Sequence, residues 1–310
     1  MTTLEVLRPG LAVSVQSRPR YGYLAAGVSP SGAMDEAAFR IAKALVGNGE
    51  DAAALEFAQF GGSYRVDRPT LIAVTGGAVE IRIDGERIPA WESRVLPAGV
   101  TLEVGSMRGA VWGYIAFSGG IDVPEVMGSR STHLRTGIGG FQGRTLAAGD
   151  RLSLGEAPTP APRRLAGLFR QPRGPIRVIA GPQAAYFDSR AWASFLGEDY
   201  TVSRKRDRMA SLLDGPWLTA CRGHDIVSDG TPAGSIQVPG SGQPMVLTAE
   251  RQTTGGYPKI ATVISADLAR LAQMPSGVPF RFRSIDRDEA EDILIADARR
   301  MSETIDAIVR

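Results

Sequence analysis

Apolar residues along this chain alternate with polar ones more often than they fall at helical spacing. Val79, Ile81 and Ile83 alternate with Glu80 and Arg82, the period of a half-buried strand, and Asp84-Gly85 is a hairpin turn signal leading to a return strand through Ile88. The same reasoning predicts strands at 4–7 and 11–16 around Pro9-Gly10, and at 71–75, 100–104, 111–117 and 146–154. After a break it predicts strands at 176–180, 200–203, 236–238, 245–248, 260–264 and 278–283. Helical spacing is confined to a few stretches. Ala38, Ile41, Ala42 and Leu45 mark a helix over 35–46, with Asp35 as its cap and Gly47-Asn48 as its stop. Residues 187–196 and 265–273 read as short helices. Residues 286–309 read as a long amphipathic one, with Ile293, Leu294, Met301, Ile305 and Ile308 near one face.

The expected architecture is therefore mainly β: two β-rich domains, barrel-like, with a few covering helices and a C-terminal helix. Three prolines among residues 157–164 make the best spacer. The domains are drawn as 1–156, a proline-rich linker at 157–174, a barrel domain at 175–285 and the C-terminal helix at 286–310. Residues 119–143 stand apart: rich in Gly, Ser, Thr and Arg with little apolar period, they read as a long functional loop.

Composition narrows the chemistry. With 43% apolar and 22% charged residues, the 310-residue chain is globular in balance rather than disordered. A net charge of +2 with scattered Arg gives no basic face for nucleic acid. No run of about 18 apolar residues suggests a membrane span. The first ten residues contain Glu5 and Arg8 and lack a signal-peptide core, so a cytoplasmic location is expected. One cysteine, Cys221, and two distant histidines, His133 and His224, argue against a disulfide, a Cys-rich zinc site or a multi-His metal site; no metal is expected. Lysines number only three: Lys43, Lys205 and Lys259. Phosphate-loop, His-Glu-x-x-His and nucleophile-elbow motifs are absent, and Gly137–Gly143 matches a dinucleotide loop only in glycine content.

Polar chemistry concentrates in three loops. Arg130, Ser131 and Thr132 lie in Gly128-Ser-Arg-Ser-Thr-His-Leu-Arg135, where small hydroxyls and Arg forks suit a carboxylate or phosphate. The plain alternative is a surface turn. Arg204-Lys-Arg-Asp-Arg208 offers a second anion site with Asp207 orienting Arg208, against the alternative of a solvated charged face. The third, Glu250-Arg-Gln-Thr-Thr-Gly-Gly-Tyr-Pro-Lys259, carries more specific polar groups than an idle loop needs. Gln252, Thr253 and Thr254 can read an amide or ureido group, Gly255-Gly256 admits close approach, and Lys259 can neutralise an anion. Gln237 sits on a strand from which it can reach the same cavity. Glu56, an acid in apolar company, is expected either to have a raised pKa or to pair with an Arg.

At these loops the sequence resembles the family that holds the C subunit of 5-oxoprolinase, the second subunit of allophanate hydrolase and the carboxyltransferase half of urea carboxylase, and which also includes a bacterial antagonist of a kinase inhibitor. The matching stretches run in order along nearly the whole chain. They include Gly27-Val-Ser-Pro-Ser-Gly-Ala-Met-Asp35, Leu45-Val-Gly-Asn48, Gly119-Gly-Ile-Asp-Val-Pro124, Gly143-Arg144 and Gly149-Asp150. Gly181-Pro182, Asp207-Arg-Met209, Ile236-Gln-Val-Pro239, Gln243-Pro244 and Gln252-Thr-Thr-Gly-Gly-Tyr-Pro258 continue the series. The resemblance implies a cyclophilin-like β-barrel and a partner, a subunit-B homologue (like the first subunit of allophanate hydrolase), completing the site. It also implies ATP-dependent opening of an amide or lactam such as 5-oxoproline. It leaves open whether ATP binds this chain, its partner or both. One alternative is biotin-dependent carboxyl transfer to urea or a related amide. No Met-Lys dipeptide occurs, so biotin is not attached to this chain. The other is a non-catalytic regulator antagonising a kinase inhibitor. Gln237, Gln252, Thr253, Thr254 and Tyr257 are the expected catalytic group. Arg130, Ser131, Thr132, Asp207, Arg208 and Lys259 are expected to hold substrate anions. Ala210 and Leu212 stand where the family carries Gly and Arg, and Ser17 where Asp is common.

Overall fold

The computed structural model describes residues 1–156, 161–167, 169 and 171–309. Of the proline-rich stretch, residues 157–160 lie outside the described residues. The fold is mainly β, with four α-helices among the described residues: α1 (Glu36–Leu45), α2 (Ser189–Gly197), α3 (Ser265–Gln273) and α4 (Arg287–Asp306). No helix among the described residues is long and apolar enough to cross a membrane. The chain divides into two compact units, each discontinuous in sequence where the sequence reading drew continuous domains. One comprises Met1–Tyr21, Ser31–Arg170 and Met301–Arg310; the other comprises Gly22–Pro30 and Gln171–Arg300.

The first unit is built on a ten-stranded antiparallel sheet. Its longest strand, Thr2–Gln16, runs through Pro9-Gly10 where two strands were expected. Register shifts against Ala54–Val66 explain why: bulges fall between Val6 and Arg8 and on either side of Leu11, so Pro9 sits where a ladder bond is already interrupted. Gly10 is obligatory there, since a Cβ would stand 2.1 Å from the Phe60 carbonyl oxygen. The partner strand Ala54–Val66 hides from pattern reading because Gly61-Gly62 and a left-handed Gln59 (φ 58°) break its alternation. Leu4, Val15, Leu55, Phe57, Tyr64 and Phe117 fill the core between its faces. Helix α1 forms as expected: Asp35 accepts from the Ala38 N–H at 3.1 Å, and Ala38, Phe39, Ile41, Ala42 and Leu45 are buried.

The second unit is an eight-stranded sheet whose end strands, Pro279–Phe280 and Phe282–Ser284, are separated only by Arg281. One pairs with Tyr200–Arg206 and the other, in parallel, with Ile176–Ala180, so the sheet returns on itself as a nearly closed, cyclophilin-like barrel. Residues 278–283 were read as one strand; the break at Arg281 lets the chain serve both ends. Phe195, Tyr200, Phe280 and Phe282 pack ring against ring at one end of the barrel core, with Phe195 and Phe282 stacked at 4.7 Å. Helix α3 is fixed by Asp267, which is buried and receives Arg177 Nη2 at 2.6 Å and Arg270 Nη1 at 2.8 Å. Helix α4 differs from the amphipathic expectation: Met301 is buried, but Leu294 and Ile295 remain about half exposed, so the apolar stripe is only partly used.

Candidate functional site

The three sequence loops part company in the structure. Arg130, Ser131 and Thr132 belong to the first unit, and the others to the second.

In the first unit the hydroxyls are consumed by the backbone. Ser131 Oγ donates to the Ser17 carbonyl at 3.1 Å and accepts from the Ser17 N–H at 2.9 Å. Thr132 donates through both N and Oγ1 to the Val15 carbonyl, each at 2.9 Å. Arg20 Nη2 donates to the Ser131 carbonyl at 2.9 Å, and Arg130 Nε to the Val123 carbonyl at 3.1 Å. Ser131 and Thr132 are wholly buried. The expected anion grip is therefore a knot that ties residues 126–144 to the end of the first strand, and only the Arg130 guanidinium, a third exposed, reaches outward. Ser17 belongs to the knot, accepting the Arg130 N–H at 2.9 Å. Glu56 is buried and accepts from the Met34 N–H (2.7 Å) and the Tyr114 hydroxyl (2.9 Å), so its role in bracing the loop before α1 is structural.

The second loop is also largely framework. Asp207 Oδ1 accepts from the Met209 and Ala210 N–H groups at 2.7 and 3.0 Å, capping its own turn. The carboxylate on Arg208 is that of Glu250, not of Asp207 as expected: Arg208 Nε reaches Glu250 Oε1 at 2.6 Å with both residues buried. Arg206 donates to the Ala272 and Met274 carbonyls, and burial pulls its pKa down to about 10. It is thus already engaged, rather than free to replace the cation missing at Leu212, which lies half-buried opposite Met245.

The third loop forms the site. Gln237, at the end of the Ser235–Gln237 strand, lies opposite Lys259 on the neighbouring Lys259–Val263 strand. Residues opposite each other on antiparallel strands face the same side. Both are wholly buried. Among the described residues neither atom of the Gln237 amide has a hydrogen-bond partner. A buried donor and acceptor left unmade cost about 1–3 kcal/mol each, so such groups in a folded core call for a functional reason.

Gly255 closes over this pair. It stands on a two-residue ribbon in which Asp229–Gly230 pairs with Thr254–Gly255. A Cβ at Gly255 would meet Gln237 Nε2 at 2.5 Å, Gln252 Nε2 at 2.9 Å and Thr231 Cγ2 at 3.2 Å, so the glycine lets two carboxamides converge on one backbone position. Thr231 pins the loop, its hydroxyl donating to the Gln252 carbonyl and its N–H to the Thr253 carbonyl at 3.1 Å. Thr254 is exposed on the ribbon, and Tyr257 is 37% exposed. Thus Gln237, Gln252 and Lys259 are brought together, Thr253 contributes backbone, and Thr254 and Tyr257 stand at the solvent side.

Sequence reading missed Asp229 and Gln183. Asp229 Oδ2 lies 3.0 Å from Lys259 Nζ, and Gln183 bridges the pair, its Oε1 accepting the Lys259 N–H at 3.2 Å and its Nε2 donating to Asp229 at 3.4 Å. Lys259, Gln183 and the Gly230 N–H together hold the Asp229 carboxyl below its ordinary range. Gly181-Pro182 was the available signal for Gln183: a Cβ at Gly181 would strike the Lys259 carbonyl at 2.3 Å, so the motif presses this loop onto the site strand. No metal-ligating cluster of three or more His, Cys, Asp or Glu occurs among the described residues.

A buried amide beside a buried ammonium is a place for a small polar substrate, and comparison with known proteins agrees on its setting. The profile of the family described as "Carboxyltransferase domain, subdomain A and B" matches residues 26–284. The chain belongs to the carboxyltransferase-domain family. Among members of this carboxyltransferase family, the C subunit of 5-oxoprolinase from Escherichia coli is 38% identical over 290 residues, covering 93% of each chain. Urea amidolyase of Saccharomyces cerevisiae is 31% identical over 91% of this chain, which spans 16% of that protein. The crystal structure of the K. lactis urea amidolyase superposes with a TM-score of 0.89 at 29% identity, over 97% of this chain and 20% of that one. These carboxyltransferase-domain relatives are named as parts of larger enzymes.

Proposed function

We propose that this chain is a subunit of an ATP-dependent hydrolase that opens a small amide or lactam, acting with a subunit-B homologue as 5-oxoprolinase subunits do. The observation that carries this reading is the buried, unpartnered carboxamide of Gln237 next to Lys259. A carboxamide presents one donor and one acceptor side by side. To pair with both at once, a ligand must have its N–H and C=O on the same side. Lactams, ureas and primary amides have that geometry, and a trans secondary amide does not. Gln252, whose Nε2 converges on the same glycine, supplies a second carboxamide, and Lys259 supplies the positive charge for a carboxylate or a polarised carbonyl. Preorganised donors in a dry pocket stabilise charge developing on an amide oxygen far better than water does.

One ammonium suits one carboxylate rather than a triphosphate, so ATP is assigned to the partner or to a site shared with it. When bound there it supplies the free energy for opening the amide. This chain's residues bind and orient the amide.

The test is ATP-dependent loss of 5-oxoproline by the chain assembled with its subunit-A and subunit-B partners. Gln237→Leu in that assembly should lower turnover about a hundredfold while leaving the fold intact. Turnover unaffected by Gln237→Leu would remove the pocket from the chemistry. Carboxyl transfer is favoured as a second reading by the 0.89 superposition on urea amidolyase. It requires bicarbonate and a biotinylated carrier, and sensitivity to avidin separates it from the first.

A further inference from the structure

We infer that Asp229 occupies the position of the substrate's carboxylate on Lys259 and is displaced when an anionic substrate binds. This rests on the amide-site reading above.

The two partners of this ion pair are unequally placed. Lys259 is wholly buried, whereas the Asp229 side chain keeps 49% of its surface in water. A buried cation is costly without a counter-charge, so Lys259 needs a carboxylate beside it at all times. Asp229 has no such need, because it can withdraw into solvent. It hangs from a ribbon only two residue pairs long, and Lys259 Nζ, though 3.0 Å away, makes no aligned hydrogen bond to it. The other ties are one long bond from Gln183, at 3.4 Å, and the Gly230 N–H.

A ligand carboxylate can therefore take over Lys259 while Asp229 returns to water, with charge balance kept throughout. The exchange sorts substrates by charge. An uncharged cis-amide fits with Asp229 in place, whereas a lactam carrying a carboxylate must move it. Asp229 is thus a specificity-determining residue that competes with anionic substrates.

The competition predicts a gain of function on its removal, which a supporting role for Asp229 does not. In titration calorimetry on the purified full chain, Asp229→Asn should bind 5-oxoproline about tenfold more tightly than the native chain, because the competent state no longer has to be freed. Binding of 2-pyrrolidinone, the same lactam without its carboxylate, should be unchanged. Unchanged or weaker 5-oxoproline binding by Asp229→Asn would overturn the proposal. Should neither lactam bind to either protein, the amide-site reading fails, and amine labelling judges Asp229 independently. With three lysines in the chain, acetylation by N-acetoxysuccinimide is resolved by mass spectrometry at each. Freeing the ribbon should raise the Lys259 rate at least about tenfold relative to exposed Lys205. Equal rates in the two proteins would show that Asp229 holds nothing shut.

Discussion

The loop at Arg130–Thr132 and the pocket at Gln237–Lys259 are built from the same kinds of residue and do opposite things. In the first, the hydroxyls of Ser131 and Thr132 and the guanidinium groups of Arg20 and Arg130 all reach backbone carbonyls of the same unit. In the second, an amide with two strong hydrogen-bonding atoms is buried with neither used, and an ammonium is buried against a carboxylate that is itself half in water. Composition does not distinguish them. Where the hydrogen bonds go does. A satisfied buried network fixes a fold, and an unsatisfied one is kept at a cost in stability for what it can bind.

Arg208 provides the largest test of that distinction. It lies in the second unit with the pocket, yet its charge is spent on Glu250. If it is framework, Arg208→Ala should cost about 3–5 kcal/mol in denaturant unfolding, because Glu250 is left buried without that partner. Arg208→Met combined with Glu250→Leu should recover most of the loss. A stable Arg208→Ala that lost only substrate affinity would move Arg208 to the binding side. Ser131→Ala comes next. It strands the Ser17 N–H, which is buried, and should cost about 1–3 kcal/mol with lactam affinity unchanged. Loss of affinity at unchanged stability would make the Ser131 loop a binding site after all. Gln237→Leu is the mirror image, expected to keep or gain stability while losing turnover.

The mainly β character, α1 and the Gln252–Lys259 loop were legible because alternation, capping and turn chemistry act locally. What stayed hidden depends on contacts distant in sequence. Gln59 and Gly61-Gly62 disguised a central strand because their purpose is a bulge against residues 8–11. Asp229 carries no local mark, and its importance comes from a lysine thirty residues away brought alongside by strand pairing. Several motifs that reveal the family turn out to be joints of the scaffold. Arg144 grips Asp150 with two bonds, at 2.7 and 2.8 Å. Asn48 links to the Phe117 carbonyl and the Gly119 N–H. Gln243 donates to the Leu213 carbonyl at 3.1 Å. A shared motif therefore identified the fold more directly than it identified the site.

The smallest effect sharpens the comparison inside the second unit, where two aspartates meet cations for different ends. Burial pushes the Asp267 carboxyl up, but the hydrogen bonds from Arg177 and Arg270 outweigh it and hold the pKa below its ordinary value. The folded protein then takes up this proton less readily than the unfolded chain. Its contribution to stability is complete above the ordinary aspartate pKa of about 3.9 and is lost as pH falls through the depressed folded value. Asp267→Asn should accordingly flatten the acid limb of stability against pH. Lactam affinity at neutral pH should stay where it was, since Asp267 serves to anchor α3 through Arg177 and Arg270. Asp229, half in water and therefore screened, should leave the acid limb nearly unchanged when replaced by Asn, yet alter which lactams bind. An acid limb that responded to Asp229→Asn as strongly as to Asp267→Asn would mean that both carboxylates are framework, and the line drawn between spent and unspent charge in this barrel would fall.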